Sequence, residues 1–286
     1  MKKLIRKTLN TVAVPTELST VTTINHHAEV AAEAVDLSPD NVERIWSAVE
    51  TLYRSGTQPA IQLCLRRRGE IVLHRAIGHR AGNGPKDSRD TPKQLMDTST
   101  PMCLFSSSKA VTALLIHMLC EETEVNLLDP VSYYLPEFAK HGKRNITIHQ
   151  ILSHRGGIPG LPANVPLDTL WDDEEIWRLL CEAKPISVDG NMLAYHAITG
   201  GFVLGRLVQK ITGAGIQQYL QKKLREPLAM TNFTYGIPSG DCSGIALNYA
   251  TGPKPVFPIS WFVKRALGAD IDTIESVSND RFHKPA

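Results

Sequence analysis

Apolar positions first settle into a helical rhythm at residue 38. Val42, Ile45, Trp46, Val49, Leu52 and Tyr53 recur at three- and four-residue spacing, which puts one apolar stripe on a helix. Ser38 is a capping residue type, Pro39 suits the first helical position, and Gly56 closes the element. The rhythm then becomes alternation: Ile61, Leu63 and Leu65 against Gln62, Cys64 and Arg66. With a turn at Arg67-Arg68-Gly69-Glu70 and a return over Ile71–Ala76, this predicts a β-hairpin. Residues 78–100 read as loop. From Lys109 to Leu119 almost every side chain is apolar, and a helix apolar all round is predicted to be buried and central. Further helices are predicted at Thr147–Ser153, where Thr147 and Gln150 have capping-box spacing, at about Thr199–Ile211 before Gly213, and at about Ile216–Leu224. Beyond Thr234 the pattern decays into segments punctuated by Gly and Pro.

Before residue 38 the pattern is weak. An Ala/Glu-rich stretch, Ala28–Val35, has the makings of a marginal helix, and residues 1–37 are expected to form a poorly ordered tail or short helix. No linker or repeat divides the remainder. Residues 38–286 are therefore expected to be one domain, with an α/β portion at 38–100, a helical lobe at 101–240 and an incomplete portion at 241–286. Two strands alone do not make a stable sheet, so this order of elements is short of strands.

Composition narrows the function classes. Lys+Arg number 31 against 29 Asp+Glu, a net charge of +2, and hydrophobic residues make up 42%. That is ordinary globular composition and lacks the basic excess of a nucleic-acid binder. No apolar run reaches the roughly 18–20 residues of a membrane span. The basic start, Met1-Lys2-Lys3-Leu4-Ile5-Arg6-Lys7, is not followed by a continuous apolar core, so the expectation is an unprocessed cytoplasmic protein. Five scattered cysteines without a C-x-x-C pair read as small hydrophobes or free thiols. His26-His27 stands without companions of metal-site spacing, so no metal is expected. Arg66-Arg67-Arg68 reads as a solvated hairpin tip.

The chemistry concentrates at Phe105-Ser106-Ser107-Ser108-Lys109. A serine three residues before a lysine, where a helix opens, shares a helical face with it, so hydroxyl and amine come within reach. Serine is a poor nucleophile without a base, and burial beside an apolar helix would disfavour the charged lysine. The positive end of the helix dipole favours negative charge developing on a substrate oxygen. Taken alone, S-x-x-K is also simply a helix start. There is no G-x-S-x-G elbow, Walker motif or dinucleotide fingerprint.

Context adds to this. The run from Phe105 to Leu115, then Leu127-Leu128-Asp129-Pro130 through Pro136, then Ile146-Thr147-Ile148-His149-Gln150-Ile151-Leu152-Ser153-His154-Arg155-Gly156-Gly157-Ile158-Pro159, resembles the serine β-lactamase-related superfamily. Within it, class C β-lactamases and the carboxylesterases of that fold look most similar. Tyr195-His196-Ala197 through Gly205, then Glu226-Pro227-Leu228-Ala229-Met230-Thr231, look like later blocks of the same series. The resemblance implies an α+β, penicillin-binding-protein-like fold: an antiparallel sheet with flanking helices beside a helical lobe, and Ser106 between the two. It implies Ser106 as acyl-accepting nucleophile, with Lys109 and Tyr195 as proton-transfer groups; which of those two takes the serine proton stays open. Phe105, His196 and Ala197 are expected to contact substrate. Asp129 and His154 are expected to stabilise turns, and Trp171 and Trp177 are expected either in an acyl pocket or in the core.

Two departures matter. Ala197 stands where the family's Tyr-x-Asn motif has its Asn, and a methyl cannot hydrogen-bond an acylamino group. This tilts the expectation from β-lactams to plain carboxylic esters, with no cofactor. The family's third block, Lys-Thr-Gly or His-x-Gly, is not found; Ala250-Thr251-Gly252 and Lys210-Ile211-Thr212-Gly213 are poor matches. The expectation is that C-terminal strands are missing, leaving the hairpin with an open edge and an uncovered face. Truncation is the favoured explanation, most of all from Ser276–Ala286; a partner chain completing the sheet and a naturally shortened, weakly active relative are the alternatives. The rival functions are a class C-like β-lactamase or D-Ala peptidase, and a non-catalytic relative serving as a scaffold.

Overall fold

The alternation at residues 61–76 and the turn chemistry beside it build the first part of the structure, a computed structural model that describes residues 9–123, 125–162, 165–237, 242–253, 256–261 and 271–280. The basic start, residues 238–241 and everything after Asp280, including the end of the Ser276–Ala286 segment, lie outside the described residues. The chain divides into two compact units, one within Met1–Cys103 and Gly240–His283, the other largely Leu104–Ser239.

In the first unit, strands β2 (Ala60–Arg67) and β3 (Glu70–Ala81) pair antiparallel, with Leu63 opposite Arg75 and Leu65 opposite Leu73. Arg68 and Gly69 both have positive φ, 53° and 87°. That suits a two-residue turn whose twist matches the strands. The sheet is larger than the sequence suggests. Strand β1 (Thr22–Ile24) pairs with β3, Thr23 facing Ala76, and β4 (Gln94–Leu95) pairs further along β3, Leu95 facing His79. On the outer side of β2, no strand is found among the described residues.

The expected tail is thus corrected over residues 9–37. Leu18, Val21 and Val35 are buried, Val12 N–H donates to the Gly56 carbonyl (2.8 Å), and Val30 N–H donates to that of Ile71 (2.8 Å). The Ala28–Val35 stretch holds only a short 3-10 turn, Ala32–Val35. Strands of two or three residues carry too few positions to show a period of two, which is why they read as tail and loop.

Helix α1 (Pro39–Arg54) lies on the sheet. Its Val42, Trp46 and Tyr53 join Leu18, Val21, Leu73 and Ile77 in one apolar cluster, while Ile45 and Leu52 of the expected stripe stay exposed. Ser38 occupies the N-cap position, but its hydroxyl makes no capping bond. Arg75 reaches across the sheet surface to Glu29 (3.0 Å) and Glu43 (2.8 Å), with its guanidinium over Trp46.

The second unit is helical. Helix α2 (Ser108–Glu122) buries Thr112, Leu115, Ile116 and Leu119, but Leu114 is 48% exposed. The helix is apolar all round and yet has a solvent-facing side, because the cluster it joins lies against one face. Short helix α3 (Val131–Tyr134) follows, with Asp129 as the expected turn residue: its carboxylate accepts from Asn126 N–H and from the Tyr134 hydroxyl. Helix α4 (Ile148–Leu152) has the capping box expected of it. Thr147 Oγ1 accepts from Gln150 N–H (3.1 Å) and Gln150 Oε1 accepts from Thr147 N–H (2.7 Å). Helices α5 (Asp173–Glu182), α6 (Thr199–Thr212) and α7 (Ile216–Leu220) complete the unit, and Gly213 (φ 72°) ends α6 in the left-handed conformation. Trp177 settles into the core, stacked on Phe138 and donating to Glu137. A last helix, α8 (Ile271–Asp280), belongs to the first unit.

Candidate active site

Ser106 lies in a 3-10 turn, Phe105–Ser107, that runs directly into α2. The turn begins with Phe105 at φ 45°, a left-handed conformation that costs an aromatic L-residue roughly 1–2 kcal/mol. Such strain persists only where surrounding structure holds it, and it gathers at functional sites. Ser106 itself is exposed.

Lys109, one turn on, is half-buried and directs its ammonium at Ser106 Oγ (3.3 Å) and at the Ala197 carbonyl (2.6 Å). Tyr195, distant in sequence, brings its hydroxyl to 2.7 Å from Ser106 Oγ, and the Lys109 ammonium lies 5.0 Å from the centre of its ring. All three belong to the helical unit. The hydrogen bond to Ser106 draws the Tyr195 phenol below its ordinary pKa of 10.0; the Lys109 charge acts in the same direction, and partial burial opposes both.

The segment carrying Tyr195 has no regular secondary structure, so other groups must fix it. His154, at φ 60°, accepts from Ala194 N–H with its carbonyl (2.9 Å) and from His196 N–H with Nδ1 (3.2 Å). Its ring meets that of Tyr195 edge-on at 4.8 Å. His196 is fully buried: Nε2 accepts from Ile158 N–H (3.2 Å), so Nδ1 carries the proton and donates to the Ala194 carbonyl (2.7 Å). Gly157 is required in this turn. Its φ is 71°, and a Cβ there would fall 1.9 Å from the Ser187 carbonyl oxygen.

Against the sequence reading, Ser106, Lys109 and Tyr195 come together, and Phe105 stands exposed beside the serine. His196, expected to contact substrate, is corrected: its ring holds backbone from inside the protein. Ala197, also expected there, contributes its carbonyl to Lys109. The structural role of His154 goes beyond a turn, and no spacing rule could have paired it with Tyr195. Among the described residues no group of three His, Cys, Asp or Glu side chains could hold a metal ion. No helix among them is long and apolar enough to cross a membrane.

The Beta-lactamase family model matches residues 46–269. The chain belongs to that family. Among curated relatives of this family member, Esterase/beta-lactamase LipL of Mycobacterium tuberculosis (strain ATCC 25618 / H37Rv) is 32% identical over 143 residues, 50% of the chain and 33% of LipL. Two solved structures share the fold. A family VIII carboxylesterase is 23% identical with a TM-score of 0.68, covering 86% of this chain and 63% of that one. A class C beta-lactamase is 19% identical with a TM-score of 0.62, covering 90% and 62%. The chain thus spans less than two thirds of each of these relatives.

Proposed function

We propose that this Beta-lactamase-family chain is a serine hydrolase that cleaves carboxylic esters by two-step acyl transfer. Once the Tyr195–Lys109 pair has given up one proton to solvent, Ser106 Oγ attacks the ester carbonyl while its own proton passes to that pair. The C–O bond to the alcohol breaks, and the departing oxygen takes that proton. Water then attacks the acyl-enzyme, gives its proton to the same pair, and releases the carboxylic acid as Ser106 Oγ is reprotonated. The observation that carries this reading is the convergence of the Tyr195 hydroxyl and the Lys109 ammonium on one serine oxygen, at 2.7 and 3.3 Å. Because both groups contact the same serine oxygen, the two are treated together as the base.

The ester preference rests on Ala197. A substrate acylamino group held at that methyl would lose a hydrogen-bond partner on burial. The descriptions of LipL and of the family VIII carboxylesterase are compatible with esters. The test is labelling by a fluorophosphonate, followed by turnover of a short-chain aryl ester and of a chromogenic cephalosporin. Labelling that disappears in Ser106→Ala, a fall of ~10⁴-fold or more, with the ester turned over faster, is the expected result. Equal or faster cephalosporin turnover replaces the ester reading with a β-lactam one. A folded chain that takes no label makes it a non-catalytic relative.

A further inference from the structure

Tyr195 is 47% exposed and sits on irregular chain, yet its oxygen lies within hydrogen-bond distance of Ser106. An exposed side chain on a segment without its own ladder holds one rotamer only if the backbone on both sides is pinned. His154 does this from both directions. Its carbonyl takes the N–H of residue 194 and its Nδ1 takes the N–H of residue 196, so backbone donors on either side of Tyr195 hang on one residue. Its ring and that of Tyr195 then meet in an edge arrangement, with centroids 4.8 Å apart. Two further bonds lock the same turn to the same segment: Ile158 N–H to His196 Nε2, and the Thr199 hydroxyl to the Ile158 carbonyl (2.6 Å).

We propose that His154 is the positioning residue for Tyr195, and that its neutral Nδ1 acceptor fixes the phenol at Ser106. The inference rests on the role given to Tyr195 above. An Nδ1 that accepts cannot be protonated, so the proton of the neutral ring sits on Nε2. The ionisable groups around this ring are His196, stacked at 5.8 Å, and Tyr195 from the later segment, and Lys109 from α2; Arg155, next in the turn, points away to the Gly190 and Asn191 carbonyls. Burial first, and then the Lys109 charge, lower the pKa of His154, which keeps the acceptor free.

The test uses His154→Gly and His154→Asn. Both residues accept a φ near 60°; glycine removes the acceptor, and asparagine Oδ1 restores one at the place of Nδ1. Ultraviolet difference titration against Tyr195→Phe isolates the Tyr195 ionisation. In His154→Gly it is expected to move up towards the ordinary 10.0, and His154→Asn is expected to bring it most of the way back. Fluorophosphonate labelling should fall by ~10–100-fold in His154→Gly, but by less than about threefold when the same change is made on Tyr195→Phe. A folded His154→Gly protein with an unmoved Tyr195 titration overturns the proposal, as does an equal loss in both backgrounds. If His154→Gly does not fold, His154→Asn is compared with His154→Gln, whose acceptor sits one atom further out, and identical Tyr195 titrations in those two overturn it. The titration needs no acyl chemistry, so a chain that never takes the label sinks the hydrolase reading and leaves this inference to be judged on Tyr195 alone.

Discussion

Lys109 and Lys143 both lay an ammonium near an aromatic ring, Tyr195 at 5.0 Å and Phe138 at 5.5 Å, and both donate to backbone carbonyls. Their surroundings differ in burial and in the acceptors they offer. Lys143 is fully buried and meets three carbonyls, of Lys140 (2.9 Å), Cys181 (2.8 Å) and Ala183 (2.6 Å), matching its three N–H donors. Two of these carbonyls lie at the C-terminal end of α5, where a cation is favoured. Lys109 is half-exposed and gives one N–H to a carbonyl and another to a hydroxyl that can itself react. Similar anchoring therefore yields a fastener where every acceptor is inert backbone, and a reactive group where one acceptor is a serine.

The sharpest way to break this comparison is to swap each lysine for methionine. Lys109→Met is expected to cut fluorophosphonate labelling by ~10²–10⁴-fold, with urea unfolding changed by no more than about 1 kcal/mol. Lys143→Met leaves buried carbonyls without a donor and is expected to cost about 3 kcal/mol, while the folded fraction labels at the normal rate. Loss of stability in the first, or unchanged stability in the second, would undo the contrast.

Tyr195→Phe keeps the ring under the ammonium and removes only the oxygen. Labelling is expected to drop by ~10²–10³-fold with an unaltered melting curve. Because the Tyr195 phenol lies below its ordinary pKa, the labelling rate of the unaltered chain should rise with pH and level off before pH 10. A profile flat across that range would remove Tyr195 from the base.

The smallest expected effect is on stability at acid pH. His154 and His196 are both lowered from the ordinary 6.5, chiefly by burial. A histidine held neutral in the folded state gives its full contribution above 6.5, and loses it as pH falls below that value towards the folded pKa, since the unfolded chain then binds more protons. The urea midpoint is expected to be lower at about pH 5.5 than at about pH 7.5. An unchanged midpoint would show that neither imidazole is held neutral.

Much of this was legible wherever the determining contacts are local. The Thr147–Gln150 capping box, the Arg68-Gly69 turn and the stop at Gly213 each involve residues a few positions apart, and each appears in the structure as the pattern predicts. The serine–lysine pair belongs to the same class, one helical turn apart. Strand β1 was not legible, because its pairing is with residues some fifty positions on and its three side chains are only half-buried. The exposed side of α2 was missed for a related reason: apolarity shows that a helix can be buried all round, not that a partner covers each face.

Sequence alone therefore determined helices α2, α4, α6 and α7 of the helical unit, for which spacing is sufficient, though not α5. The candidate nucleophile was legible through the ordered series of blocks that carries the family resemblance. Tertiary structure alone decided that His196 is a buried strut instead of a substrate contact, that Ala197 serves Lys109 through its carbonyl, and that His154 brackets Tyr195. Those outcomes depend on which backbone groups meet across gaps of about forty to ninety residues. Every residue except proline carries the same backbone donor and acceptor, so such meetings leave little mark in the order of side chains.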